Sequence, residues 1–404
     1  MKIKTDKRIR QINIKVAGEE AGLLEKNAQF EFTYHSNAKF PVAAAMPIEK
    51  RFYQHGALFP IFEMNIPEGY IRRHITERLR KHIQVDEMLF LALQGSTGIG
   101  CIAYETEGIE QEDLSAENRA EILAWDGSDE LFKELVDKYL FQSNISGIQP
   151  KVVVSEVVES EKGAVILPSL IVKSSDDEFP QLAINEFVCM RLAKSCQIET
   201  PEFWLSDNQQ LFVMRRFDLK DDGACRSMED MAVLQGKTTN DKYESSYESI
   251  SSVLNIYSSE INEDKEILFK MVVHSCMVGN GDAHLKNFAM LYDDLADMRI
   301  SPLYDVVNTQ IYVPGDTLAL NLGGSKNFPD RKRIIDFGKS IGVKRCEDIV
   351  DEMADQIRGE LEILQDYTEA MELDIKSRIL ENIHQSTTRT AIKTHGARRY
   401  TKFN

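Results

Sequence analysis

The sequence predicts an α+β protein: a small α+β amino-terminal unit, then a strand-rich lobe, then an all-helical carboxy-terminal lobe. Three observations predict it. Residues 10–105 mix strand-like alternation with a helical run. Residues 151–216 are dominated by β-branched strand patterns around a single helix, and beyond residue 228 the periodicity is mostly helical. At 404 residues the chain is long enough for two or three cores. Runs of strands followed by runs of helices segregate into separate lobes with a cleft between them.

The elements follow in order. Phe30-Glu31-Phe32-Thr33-Tyr34 alternates like a strand, and Pro41-Val42-Ala43-Ala44-Ala45-Met46-Pro47 reads as a buried one. Residues 71–83 are helical and basic through Arg72, Arg73, His74, Arg78, Arg80, Lys81 and His82; the run is either a solvated helix face or a docking face. The acidic stretch 105–113 suits a surface connector. Ser115 is expected to cap a helix through Leu123, and another helix covers residues 129–139. A small polar loop at 143–151 leads into strands at 151–158 and 164–173, a helix at 181–196, and strands at 202–205 and 211–216 joined by a turn at Asp207-Asn208. The resulting division is 1–108, connecting helices 109–140, a strand-rich lobe and hinge 141–231, a helical lobe 232–384 and a basic tail 385–404. That tail is a frayed terminus or a contact for nucleic acid or an acidic partner.

Composition excludes several classes. Apolar residues are 43% and charged residues 28%, the balance of a soluble globular protein. A net charge of -17 argues against a whole-protein grip on nucleic acid, leaving only local basic surfaces. The six cysteines (Cys101, Cys189, Cys196, Cys225, Cys276 and Cys346) form no C-x-x-C pair, so reduced, mostly buried thiols are expected. The basic first ten residues precede no apolar core, and no apolar run reaches membrane-spanning length. A cytoplasmic protein without membrane contact is expected.

The most informative stretch is Val278-Gly279-Asn280-Gly281-Asp282-Ala283-His284-Leu285-Lys286-Asn287-Phe288, followed by Ser301-Pro302-Leu303-Tyr304-Asp305. An Asp five residues before an Asn, with a second Asp beyond a hairpin around Asp293-Asp294, is the set that phosphoryl transfer needs. One carboxylate accepts the proton of the attacking hydroxyl, while an amide oxygen and another carboxylate hold Mg²⁺. Asp282 is the expected base, with Asn287 and Asp305 as metal ligands. Lys286 is expected to help neutralise the transferred group, and His284 to be structural, bonded to backbone carbonyls. Lys173 ends a strand and Glu186 sits on the next helix, the order in which a phosphate-binding lysine meets an orienting carboxylate. Gly147 lets the 143–151 loop approach phosphates closely. Glu229-Asp230-Met231 falls at the hinge, where backbone groups pair with an adenine edge; an ordinary acidic helix start is the plain alternative.

In combination these segments resemble the HipA family of bacterial serine/threonine kinases, the toxins of type II toxin–antitoxin systems. The matching residues are Ile145-Ser146-Gly147-Ile148-Gln149-Pro150-Lys151, Asn185-Glu186-Phe187, Arg216-Phe217-Asp218, Glu229-Asp230-Met231, Gly281-Asp282-Ala283-His284-Leu285-Lys286-Asn287-Phe288 and Pro302-Leu303-Tyr304-Asp305-Val306. Phe62-Glu63-Met64-Asn65-Ile66-Pro67-Glu68-Gly69-Tyr70 matches the family's amino-terminal domain. The resemblance implies a HipA-like bilobal kinase fold that binds ATP and Mg²⁺ through Lys173, the loop residues Ser146, Gly147, Gln149 and Lys151, and the hinge 229–231. It also implies a helix-turn-helix antitoxin as partner, operator DNA reached mainly through that antitoxin, and an aminoacyl-tRNA synthetase as a protein substrate. Family members autophosphorylate a serine of the phosphate loop. Here the first serine position is Asn144, which leaves Ser146 or the neighbouring Ser143, with Ser146 the expected site; a phosphate there would repel those of ATP. The alternative for Ser146 is a simple hydroxyl hydrogen bond.

Other function classes remain in view. A metallophosphoesterase needs more metal ligands than His274 and the Asp282–His284 string supply. A catalytically weak antitoxin-binding co-repressor and a small-molecule phosphotransferase are the remaining alternatives.

Overall fold

The computed structural model describes residues 2–3, 8–110, 115–128, 130–142, 149–160, 163–175, 178–220 and 222–388. The amino-terminal unit is a five-stranded antiparallel sheet in the order Phe52–His55, Phe30–Tyr34, Glu19–Lys26, Gln11–Val16, Ile102–Glu105. Alternation decides its buried face, with Ile12, Ile14 and Val16 inward along one strand. The helices Gly69–Leu79 and Glu87–Gln94 follow, the second capped by Asp86, whose side chain accepts from the Leu89 amide.

Residues 41–47 are not a strand. Val42, Ala43 and Met46 are buried as expected, but their backbone is satisfied by a side chain rather than a ladder. The Tyr34 hydroxyl donates to the Met46 carbonyl at 2.6 Å and accepts from the Val42 amide at 2.8 Å. Three successive alanines offer none of the branched side chains that favour pleated structure. The cap assigned to Ser115 also moves. Its hydroxyl accepts from Lys138 and its carbonyl from Tyr139, and Asn118 caps the helix Arg119–Leu123 instead. A further helix, Leu131–Tyr139, completes the connection.

The middle lobe is a four-stranded antiparallel sheet ordered Phe203–Leu205, Leu211–Arg215, Gly163–Ser174, Lys151–Ser160, with the helix Leu182–Ser195 against it. The last lobe is built from the helices Tyr247–Tyr257, Ile261–Val278, Arg331–Ile341, Cys346–Ile363 and Ile375–Thr387. The expected hairpin forms from Ala289–Tyr292 and Arg299–Ile300, and Ser227–Asp230 joins it as a third strand. The helical lobe thus carries a small sheet on its cleft side. Among the described residues no helix is long and apolar enough to cross a membrane.

Two apolar cores hold the molecule. One joins the carboxy-terminal helices to Leu182–Ser195. The other runs from the amino-terminal sheet through Leu135 and Tyr139 to Val152, Val172 and Val213 of the middle sheet. The cysteines correct one expectation. Cys189, Cys196, Cys276 and Cys346 are free and buried, but Cys101 and Cys225 form a disulfide across a sequence separation of 124. Local spacing carries no information about a pair that only tertiary packing brings together. The basic residues expected in the tail from Arg389 onward lie outside the described residues.

Candidate active site

Lys151 and Lys173 pair directly across adjacent strands, so both side chains leave the sheet on one face. Two ammonium groups so placed repel unless carboxylates separate them. Lys173 Nζ lies 2.5 Å from Glu186 Oε1 and 2.7 Å from Asp305 Oδ1. Lys151 Nζ is 4.0 Å from Asp305 Oδ2. Burial opposes the charge on Lys173, but Asp305 and Glu186 outweigh it and hold the ammonium above the usual lysine range. Burial likewise works against ionised Asp305, yet Lys151 and Lys173 keep its carboxyl well below the usual carboxylate range. Burial also lowers Lys151 and raises Glu186.

The helix Ile261–Val278 stops at Gly279, whose φ of 77° is the left-handed cap glycine tolerates. Gly281 is required for space, because a Cβ there would lie 2.0 Å from Asp316 Oδ2 and 2.6 Å from the Thr317 carbonyl. The chain then presents Asp282 to the cleft, its amide donating to Asn280 Oδ1 at 3.0 Å. Asp282 is open to solvent, yet the cleft walls remove part of its hydration and push the carboxyl up to about 6, against the opposing effect of the Tyr243 hydroxyl. That hydroxyl donates to Asp282 Oδ1 at 2.8 Å.

Asn287 Nδ2 donates to Asp305 Oδ2 at 3.2 Å, and its buried Oδ1 has no hydrogen-bond partner among the described residues. Asp305 adopts φ 58°, a left-handed conformation unusual for a residue with a Cβ, which ends the approach from the hairpin with its carboxylate beside Asn287. An orphaned amide oxygen next to an ionised carboxylate is an all-oxygen donor set of the kind Mg²⁺ accepts. His284 departs from expectation: among the described residues its Nδ1 bonds to no carbonyl, and burial pushes the ring down to about 3, so it is neutral. Lys286 Nζ is held by Glu68 Oε1 at 2.7 Å.

These groups share one cavity of about 540 Å³ between the lobes, which Gln149, Lys151, Lys173, Asp230, Asp282, Lys286, Asn287 and Asp305 all line. Ile171, Met214 and Met228 belong to its apolar part. The hinge residues divide by strand alternation. Met228 and Asp230 face the cavity, while Glu229 points the other way, accepting from the Ala44 amide at 2.8 Å and the Tyr292 hydroxyl at 2.6 Å. Met231 is fully buried and its amide donates to the Phe288 carbonyl. Ser143, Ser146 and Gly147 lie outside the described residues.

Comparison with known proteins matches residues 12–105 to the family model for the HipA N-terminal domain and residues 143–361 to that for the HipA-like C-terminal domain. The chain belongs to the HipA family. It is 27% identical over 293 residues to "Putative kinase Y4dM" of Sinorhizobium fredii, covering 67% of each chain. It is 28% identical over 186 residues to a "Putative kinase" of Haemophilus influenzae, covering 42% of this chain and 53% of that one. The HipA fold is matched by a structure from Shewanella oneidensis MR-1, solved as a complex of HipA, HipB and operator DNA. The TM-score is 0.70 at 19% identity, over 93% of this chain and 96% of that one. The α+β bilobal kinase-like fold expected from the sequence is the HipA fold.

Within this HipA fold, Met228, Lys242 and Tyr243 are among the cavity residues that went unassigned in the sequence. Met228 was hidden because a four-residue strand gives too short an alternation to detect. Tyr243 and Lys242 sit in a polar stretch after Gly236 whose only local signal is a turn.

Proposed function

We propose that this HipA-family chain is a cytoplasmic serine/threonine protein kinase toxin that transfers the γ-phosphate of ATP to a protein acceptor. The observation that carries the reading is the convergence of Asp282, Asn287, Asp305 and Lys173 from three separate segments on one cavity, with Glu186 of a fourth bonded to Lys173 behind it. Asp282 takes the proton of the attacking hydroxyl; a carboxyl near 6 is ionised at neutral pH yet basic enough to accept it. Lys173, fixed by Glu186, neutralises the nucleotide phosphates, with Lys151 beside it. Asn287 and Asp305 would hold Mg²⁺, which supplies Lewis-acid neutralisation of phosphate charge. The adenine would lie against Met228, Met214 and Ile171, with the backbone beside Asp230 at its edge.

The acceptor class is an aminoacyl-tRNA synthetase, whose phosphorylation would halt translation, and Ser146 is the autophosphorylation site that displaces the phosphate loop. A helix-turn-helix antitoxin is the partner, with operator DNA reached through it. The Shewanella oneidensis complex with HipB and operator DNA supports a partner of this kind.

The test is intact-mass analysis of wild type and Asp282→Ala after incubation with Mg²⁺-ATP, with peptide mapping of any added phosphate. Phosphate on wild-type Ser146 and none on the variant is expected. Wild-type turnover by Asp282→Ala would remove Asp282 from its role, and phosphate mapped elsewhere would reassign the site.

A further inference from the structure

Glu68 stands where the amino-terminal unit meets the cleft. It occupies the N-cap of the helix Gly69–Leu79, a position where Ser, Thr, Asp or Asn ordinarily bonds the free amides of the first turn. Its carboxylate makes no cap bond. Instead Oε1 accepts from Lys286 Nζ at 2.7 Å and Oε2 from Lys242 Nζ at 2.9 Å. Both lysines line the cavity with Asp282, and they are only 9% and 7% exposed. The same segment grips a second time, as Glu63 Oε2 accepts from the Thr239 amide at 3.2 Å. Lys286 Nζ in turn reaches Thr239 Oγ1 at 3.4 Å.

Two ammonium groups on one poorly hydrated wall repel each other. A lysine is also a flexible point charge whose direction must come from its partner. One carboxylate with an oxygen for each ammonium answers both requirements. We propose that Glu68 is a positioning residue for phosphoryl transfer. Supplied by the amino-terminal unit, it aims Lys286 at the transferred group and holds Lys242 beside it. The inference rests on the kinase reading above, and it makes docking of the amino-terminal unit part of catalysis.

The test uses full-length wild type, Glu68→Gln, Glu68→Asp, Lys286→Met and the Glu68→Gln/Lys286→Met double variant. Single-turnover conversion of Mg²⁺-ATP to ADP, with the γ-phosphate passing to the chain's own serine hydroxyl or to water, is measured beside the affinity for a fluorescent ATP analogue. Glu68→Gln keeps the shape and removes the charge, so conversion should fall on the order of tenfold while analogue affinity stays within about threefold. Glu68→Asp, which keeps the charge on a shorter arm, should recover part of the rate even if the Gln variant folds poorly. Because Glu68 acts through Lys286, the double variant should be no slower than Lys286→Met alone. A wild-type rate in Glu68→Gln, or losses that multiply in the double variant, overturns the positioning role. If wild type itself converts no ATP, the kinase reading fails and this role fails with it. Conversion by wild type with Glu68→Gln unaffected defeats the positioning role alone.

Discussion

A general base must be deprotonated before it can act, and on the proposed reading that base is Asp282. With its carboxyl pushed up to about 6, a growing fraction is protonated as pH falls through that value, and a protonated carboxyl cannot accept a proton. ATP turnover is expected to rise about tenfold per pH unit below 6 and to level above it. Removing the Tyr243 hydroxyl, which now favours the ionised form, should move the limb to higher pH. An acidic limb at the ordinary carboxylate position, unmoved in Tyr243→Phe, would count against this environment. At this scale much of the site was legible in the sequence. Asp282, Asn287, Asp305 and Lys173 announce themselves by type and spacing, and the cavity brings all four together. Tyr243 and Glu68 do not, because each reaches the site across a long sequence gap through a contact that no local pattern encodes.

Among elements, the strand Ser227–Asp230 gives Met228 and Asp230 to the cleft, and alternation along it sends neighbouring residues to opposite faces. Glu229 faces the amino-terminal unit, where burial pushes its carboxyl up to about 7 despite bonds from Tyr292 and Ala44. Its folded pKa lies above the unfolded one, so its stabilising share is complete below about pH 4 and is lost as pH rises through about 7. Glu229→Gln keeps an acceptor oxygen without the charge. Thermal melts should show a gain on the order of 3 kcal/mol over wild type at pH 8 and little difference at pH 4. Equal pH slopes in the two proteins would contradict the assignment. The strand itself was missed in the sequence because four residues between a polar loop and helical periodicity leave no detectable period, whereas Lys151–Ser160 was plain from its run of valines.

Across the whole molecule, the disulfide between Cys101 and Cys225 ties the amino-terminal unit to the segment entering the cleft strand. Closing so long a loop is worth about 5 kcal/mol by loop entropy. A reducing agent should therefore lower the melting temperature of wild type and leave Cys101→Ser/Cys225→Ser unchanged; an equal response in both would remove the link. Polar contacts make the same junction. Arg216 pairs with Asp218 and donates to the carbonyls of Thr97 and Gly98, while the Gly100 amide donates to Asp218. The apolar core beneath runs unbroken from Ile12 to Val213. The two family domains are recognisable as separate stretches of sequence, but they share an interior. Parting them would strip one face of that interior from each half, so each half made alone would present the apolar surface that the other now covers.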